Sequence, residues 1–436
     1  MTTTRLAGLL VDLRWRGLLH DVTAGLEARL ATGEPIRAYN GFDPSFRSLH
    51  VGNLVPVMGL VRLQRAGGQP VALVGGATGL IGDPSGRSSE RPLLDRSTVQ
   101  ANVHAIRDQL ARYLDFAPGV AQARVVNNLD WLGEVRLLDF LRDVGKHFTI
   151  PYMLDKDSVQ GRMAKGLSFT EFSYMLLQAA DFAHLHRSHG VELQCGGADQ
   201  WGNITAGLEL IRRTARRAED QTEPAYGLAY PLLLSPSGAK FGKSETGDSI
   251  WLDAALTSPY RFYQHWVDAD DRDVGIYLRW FTLFDRGRID ELEAEHQAAP
   301  ERRTAQRALA RDVTERTHGR GAADRVSRVS EILFGGDPTR ADAQTLADLA
   351  AEIPASSWPE GDERVDVVSL LVGAGSAASR TEGRRLVEQG GVQVNGSPVR
   401  DAATTFGADD LLAGRYLLIR RGKRDQRVLV RGLGRS

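Results

Sequence analysis

IRAYNGFDPSFRSLHVGNLVPVMGLVRLQRAGGQPVALVGG, residues 36–76, alternates two kinds of pattern. IRAYNGF (36–42) and PVALVGG (70–76) are short apolar runs and read as strands, the second of them buried. Between them, Gly52 to Gln64 sets Leu54, Val57, Met58 and Val61 on one face and reads as a helix. Pro56 is tolerated there if the helix starts near Gly52, because first-turn amides have no internal acceptor. Strand, helix, strand in this order predicts an α/β fold.

The alternation continues outward from this unit. ARVVNN (123–128) and VELQCGG (191–197) read as further strands, and FTEFSYMLLQAADFAHL (169–185) as a strong helix. From Ser258 onward the pattern is helical, with Ser258 and Pro259 as N-cap and first-turn residues. The aromatics that follow, Tyr260, Phe262, Tyr263, Trp266, Tyr277, Trp280, Phe281 and Phe284, read as core. Residues 335–364 carry Gly, Pro and acids and read as a linker with a short helix. The tail holds a helix, SRTEGRRLVEQG (379–390), a hairpin around Asn395-Gly396, and the strands RYLLIRR and RVLVRG.

The chain has 436 residues, 42% of them hydrophobic, which is enough for a sizeable core. That length predicts roughly two or three domains. The net charge is −1, so any affinity for nucleic acid must be local. From Asp366 to the end the chain has twelve Arg and Lys against seven Asp and Glu, a local basic excess. The single cysteine, Cys195, excludes an internal disulfide framework and a cysteine-based zinc site, and fits a reducing cytoplasm. The N-terminal residues show no export pattern, and no apolar run reaches the length of a membrane span. The expectation is a soluble cytoplasmic protein.

Two segments point to phosphate chemistry. GAKFGKS (238–244) looks like a P-loop but places only Ala239, Lys240 and Phe241 between its glycines, and no helical pattern follows it. It is either a cationic loop that meets phosphate or a solvated basic loop. Lysine is scarce, six of the 54 basic residues, and two of the six fall within KFGKS. A compact ammonium is not interchangeable with a guanidinium fork. SLHVGN (48–53) puts an imidazole and an open glycine backbone at a strand-to-helix junction, where a phosphate can bind. A histidine there can equally be structural. A third feature is the polar stripe Tyr174, Gln178, Asp181 at i, i+4 and i+7 of an otherwise apolar helix, which either faces water or lines a pocket.

Taken together, the His-x-Gly segment after the first strand and the Lys-x-x-Lys-Ser loop after the last one resemble the two ATP motifs of class I aminoacyl-tRNA synthetases. YNGFDPSFRSLHVGN, ALVGGATGLIGDPSGR, FTEFSYMLLQAADF, GGADQWGNITAG and KFGKS stand in the order and spacing of bacterial tyrosyl-tRNA synthetases, which the chain resembles over almost its entire length. The resemblance implies a Rossmann-like parallel-sheet catalytic domain over residues 1–257 with an insertion at about 129–165. It further implies an α-helical tRNA-binding domain (258–334), the linker (335–364) and a small α+β S-four-like RNA-binding domain (365–436). It implies tyrosine activation with ATP to tyrosyl-adenylate and pyrophosphate, then transfer of the tyrosyl group to the 3′ end of tRNA(Tyr). Mg²⁺ would arrive with ATP, no tightly bound metal is expected, and family members are homodimers joined through the insertion.

Residue roles follow from the same resemblance. Ser45 and His50 would bond the γ-phosphate end of ATP. Lys240, Lys243 and Ser244 would close over the phosphates, with Arg87 and Arg91 nearby. Asp43, Gly52, Asn53 and Asp199 would line the adenosine site. Tyr39 and Asp181 would contact the substrate phenol, Asp83, Tyr174 and Gln178 its amino group, and Gln200 its carboxyl end. Arg380, Arg384, Arg385, Arg420, Arg421 and Lys423 would meet RNA. A buried carboxylate such as Asp181 needs a partner, which a phenol supplies and phenylalanine does not; tyrosyl-tRNA synthetases are the established example of such rejection, so no editing domain is expected. Five positions depart from the family pattern: Asn40 for Cys, Ser45 for Thr, Asn53 for His, Arg87 for Lys and Ala198 for Ser. A tryptophanyl synthetase or another adenylyltransferase would share the phosphate motifs, but Tyr39, Gln178 and Asp181 favour tyrosine.

Overall fold

The computed structural model describes residues 3–83, 85, 94–163, 166–215, 224–233, 249–359, 364–422 and 425–432. The chain divides into two compact units. One comprises Met1–Thr257 with Ala269–Leu309, and the other Ser258–Asp268 with Ala310–Ser436. The helical stretch beginning at Ser258 is therefore shared between them.

The first unit is built on a six-stranded sheet of β1 (Asp21–Val22), β2 (Arg37–Phe42), β3 (Gln69–Val74), β4 (Arg124–Asn127), β5 (Leu193–Gly197) and β6 (Tyr226–Tyr230), in the order β1-β6-β5-β2-β3-β4. β2 to β6 pair in parallel, and β1 adds an antiparallel edge to β6. Parallel neighbours need crossovers, usually helices, which cover both faces of the sheet. That is why PVALV in β3 and YGLAY in β6 are buried along their length. The chain lays β3 and β4 on one side of β2, then returns to lay β5 and β6 on the other. The order reverses between β2 and β5, and in such sheets ligands bind outside the carboxyl ends of the strands at that point.

The first crossover matches its sequence pattern closely. A single 3₁₀ turn, Val51–Asn53, precedes the Leu54–Arg65 helix. Pro56 lies in the first turn, where its missing N–H costs nothing. The Phe169–His189 helix starts at Ser168, whose hydroxyl accepts from Glu171 N at 3.2 Å, and stops at Gly190, left-handed at φ 62°. It packs on the Trp201–Ala215 helix so tightly that a Cβ on Gly207 would lie 2.9 Å from the Phe182 ring. Phe182 and Leu185 join Tyr39, Val71, Leu73, Val191 and Ile211 in one buried cluster. The expected aromatic core is present in both units: Tyr277, Trp280 and Phe281 in the first, Phe262, Tyr263 and Trp266 in the second, all buried.

The second unit carries a five-stranded sheet. Its strands are drawn from β7 (Ala355–Ser357), β9 (Val392–Val394), β10 (Ser397–Val399), β12 (Tyr416–Arg421) and β13 (Asp425–Val430), in the order β10-β9-β12-β13-β7. A small pair, β8 (Val365–Asp366) with β11 (Thr405–Phe406), lies apart. The β9–β10 turn has Asn395 at φ 50° and Gly396 at φ 82°, the left-handed pair that a two-residue hairpin requires. Residues 335–364, read as a linker with a short helix, also contribute a strand. They supply the Ala343–Glu352 helix, and β7 pairs in parallel with β13. Leu346 and Leu349 of that helix are buried against Leu418, Tyr416, Val428 and Val430. Two of the acids that gave the segment its linker composition are caps: Asp337 accepts from Thr339 N and Asp342 from Thr345 N.

Candidate active site

The site is assembled around the β2–β5 reversal. β2 carries Tyr39 in register with Gln194, both on one face of the sheet. Tyr39 is 2% exposed, and its ring lies 5.4 Å from Phe182. Its Oη has no hydrogen-bond partner among the described residues. Burial, and then the nearby Asp181, hold its phenol well above the ordinary value, so Tyr39 is neutral.

Asp181 is also 2% exposed. Asn128 Nδ2 donates to one carboxylate oxygen at 2.9 Å and Trp131 Nε1 to the other at 2.7 Å. Burial pushes the carboxyl up to about 7, against the pull of those two donors. The polar stripe of the helix thus faces inward.

Asn128 links this carboxylate to the next. Its amide also donates to Thr78 Oγ1 at 3.0 Å, and its carbonyl oxygen accepts from Ala77 N at 2.7 Å. Thr78 donates to Asp43 at 3.1 Å, and Tyr174 Oη donates to the other Asp43 oxygen at 3.0 Å. A second network joins the remaining expected tyrosine-binding residues. Asn203 Nδ2 donates to both Gln178 Oε1 (3.0 Å) and Gln200 Oε1 (3.1 Å). Gln200 Nε2 in turn donates to Asp83 at 2.7 Å, and Ser85 N closes onto the other Asp83 oxygen at 2.9 Å. Asp199 is held above the ordinary carboxylate range by burial first and by Asp83 second.

At the phosphate motif, His50 N donates to Asn53 Oδ1 and Gly52 N donates to His50 Nδ1, each at 3.0 Å. An accepting Nδ1 puts the neutral ring's hydrogen on Nε2, so the side chain presents a donor on its far edge. Gly52 is required by this cap, since a Cβ would sit 2.7 Å from the imidazole. Asn53 thus serves as a cap partner of His50. Ser45 is exposed in the turn after β2. Asn40 is buried, with Nδ2 donating to Gly41 O at 2.9 Å. Arg87, Arg91, Lys240, Lys243, Ser244 and Lys423 lie outside the described residues.

In the second unit, Arg384 and Arg385 are exposed on the Arg380–Glu388 helix, and Arg384 lines an open groove with Glu388, Arg400 and Asp401. Arg380 and Arg421 are instead paired within the unit, Arg380 with Asp366 at 3.4 Å and Arg421 with Asp425 at 2.9 Å. Arg420 Nε donates to Gly422 O at 3.2 Å.

Four residues of the networks were not singled out from sequence: Thr78, Asn128, Trp131 and Asn203. A signal existed for one of them. Asn128 follows the apolar run ARVV at the carboxyl end of a parallel strand, where side chains reach the crevice.

Known proteins resemble this chain along most of its length. A family model described as tRNA synthetases class I (W and Y) matches residues 31–335. A second, the Tyrosine--tRNA ligase SYY-like C-terminal domain, matches residues 345–429. The chain is 49% identical over 426 residues to the Tyrosine--tRNA ligase of Roseiflexus castenholzii, covering 97% of this chain and 99% of that one. It is 52% identical over 420 residues to that of Anaeromyxobacter dehalogenans, covering 96% and 98%. Among solved structures, a C-terminally truncated mitochondrial tyrosyl-tRNA synthetase from Aspergillus nidulans superposes with a TM-score of 0.68 at 31% identity, covering 76% of this chain and 98% of that one. The chain belongs to the class I tRNA synthetases of the tryptophan and tyrosine group, among the tyrosine--tRNA ligases.

Proposed function

We infer that the chain activates L-tyrosine with ATP and transfers the tyrosyl group to tRNA(Tyr). One observation carries the tyrosine assignment. Tyr39 Oη is buried with no hydrogen-bond partner among the described residues, and the buried Asp181 carboxylate lies near it. Buried polar groups are costly unless bonded, and a phenol O–H that both donates and accepts answers both. Asp181 already accepts from Asn128 and Trp131, so what phenylalanine would leave unmet is Tyr39 Oη.

The chemistry asks for positioning and charge stabilisation. The tyrosine carboxylate attacks the α-phosphorus of ATP, a P–O bond forms, and the bond to pyrophosphate breaks. An ionised carboxylate needs no base. In the second step a 3′-terminal ribose hydroxyl of the tRNA attacks the adenylate carbonyl, and AMP leaves. Tyr174, Gln178 and Asp83 hold the amino group, and Gln200 lies toward the carboxyl end. His50 offers Nε2–H and Ser45 a hydroxyl to the phosphates. Lys240, Lys243 and Ser244, with Arg87 and Arg91, meet the charge that develops on pyrophosphate. Mg²⁺ enters as part of the ATP substrate. Asp43, Gly52, Asn53 and Asp199 belong to the adenosine side. Arg384 and Arg385 meet the tRNA, with Arg380, Arg420, Arg421 and Lys423 on the same domain.

The protein works as a homodimer in the cytoplasm. Supporting the dimer, the insertion at 129–165 and its flank expose Leu137, Leu138, Leu141, Ile150, Met163 and Phe169, an unusual density of apolar side chains. Leu138→Asp is expected to give a monomer by light scattering.

Exchange of labelled pyrophosphate into ATP, run with each amino acid in turn, tests the assignment. Tyrosine alone is expected to support exchange. Exchange with tryptophan instead, or with none, overturns the reading.

A further inference from the structure

His184 follows Asp181 by three residues on the Phe169–His189 helix, so both side chains lie on one face. They meet the same partner. Trp131 donates Nε1–H to Asp181, and the face of its indole stacks on the His184 imidazole, with centroids 4.6 Å apart and planes 13° apart. His189, at the end of the same helix, lies 5.6 Å from His184 and 6.3 Å from the indole.

Trp131 takes little support from its own helix. It sits on the four-residue helix Leu129–Leu132, none of whose residues is buried. A single turn is unstable by itself, and its geometry comes from what it packs against. For Trp131 those neighbours are the Tyr39–Phe182 cluster and the His184 ring. Offset stacking of two aromatic faces adds to area burial and is strongly directional. Partial burial, then His189 and Arg187, lower the His184 pKa, so the stacked ring is neutral and buries no charge.

We propose that His184 is a positioning residue for tyrosine selection: stacked on Trp131, it keeps the indole N–H on Asp181 and so holds the carboxylate aimed at the substrate phenol. The proposal rests on the reading of Asp181 as the phenol's partner. Without the stack, the indole can swing on its short helix, and Asp181 keeps only its Asn128 donor fixed. Tyrosine then binds more weakly, and phenylalanine is excluded less well. The described residues expected at the ATP phosphates, Ser45 and His50, are on other elements, so the chemical step is unaffected.

Pyrophosphate exchange with the full-length wild type, His184→Ala and His184→Phe tests this. His184→Ala is expected to raise the KM for tyrosine by about threefold to tenfold. The kcat and the KM for ATP should stay within about twofold of wild type, the pattern of weakened substrate binding. His184→Phe, which restores a stacking face without ring nitrogens, should bring the KM back. Should the alanine variant fail to fold, His184→Leu keeps the bulk, removes the stacking face and carries the same expectation. An unchanged KM, a rise that Phe does not reverse, or a fall in kcat alone overturns the proposal. Absence of tyrosine-dependent exchange in the wild type would instead remove the underlying assignment, and the proposal with it.

Discussion

Tyr174 Oη donates to the Asp43 carboxylate at 3.0 Å, across 131 residues of sequence. Tyr174 comes from the long helix on one face of the sheet, and Asp43 from the turn that ends β2. The bond ties the residue expected at the substrate amino group to one expected at the adenosine. Through Thr78 and Asn128 it continues to Asp181, so both ends of the tyrosine site share one hydrogen-bonded frame.

Tyr174→Phe removes a hydroxyl that bonds a charged group, an interaction worth roughly 1.5–3 kcal/mol. The KM for tyrosine in pyrophosphate exchange is expected to rise about tenfold or more. A wild-type KM would take Tyr174 out of substrate binding.

Asp181 gives stability a pH dependence of definite sign. Its folded value, about 7, lies above the ordinary 3.8, so the folded state holds its proton more tightly than the unfolded chain does. The slope of unfolding free energy with pH is then negative between those two values, and stability falls as pH rises through that window. Asp181→Asn cannot titrate. Its melting temperature relative to wild type is expected to be higher at pH 7.5 than at pH 5, and an unchanged difference between the two pH values would contradict the buried, raised carboxylate.

Lys243→Ala is expected to slow adenylate formation by about 10²-fold, the scale of removing one electrostatic interaction made mainly in the transition state. Tyrosine affinity, read by equilibrium dialysis, should barely change. A large drop in that affinity would place Lys243 in ground-state binding of the amino acid.

Arg384→Glu combined with Arg385→Glu should leave tyrosine-dependent pyrophosphate exchange intact while raising the KM for tRNA in charging. Phosphate neutralisation sets the salt dependence of binding, so the log–log slope of tRNA affinity against salt should become shallower by about one for each phosphate that an arginine no longer meets. These substitutions are preferable to removing residues 366–436, because Leu418 of that segment packs against Val329, Ile332 and Leu349. Truncation would strip a core as well as a binding face. Unaltered charging at physiological salt would defeat the RNA role of this helix.

Local pattern was enough for much of this molecule. The strands near 36–42, 70–76, 123–128 and 191–197, the capped helices at Ser168 and Ser258, and the Asn395-Gly396 turn are all written in residues close together in sequence. Periodicity and cap chemistry are short-range properties, so sequence by itself determined these elements. The family motifs likewise located Tyr39, His50, Tyr174, Gln178 and Asp181 on them. Within 335–364 the short helix was legible, while β7, which pairs with β13, was not.

Tertiary structure decided what those side chains meet. Asp181 depends on Asn128 and Trp131, Asp43 on Thr78 and Tyr174, and Gln178 and Gln200 on Asn203. Most of these partners are 35 to 131 residues apart, brought together where the ends of β2, β3 and β4 meet the Phe169–His189 helix. A buried carboxylate takes its pKa from its desolvation and its donors. Neither exists until the sheet order sets which strand ends and which helix face enclose it.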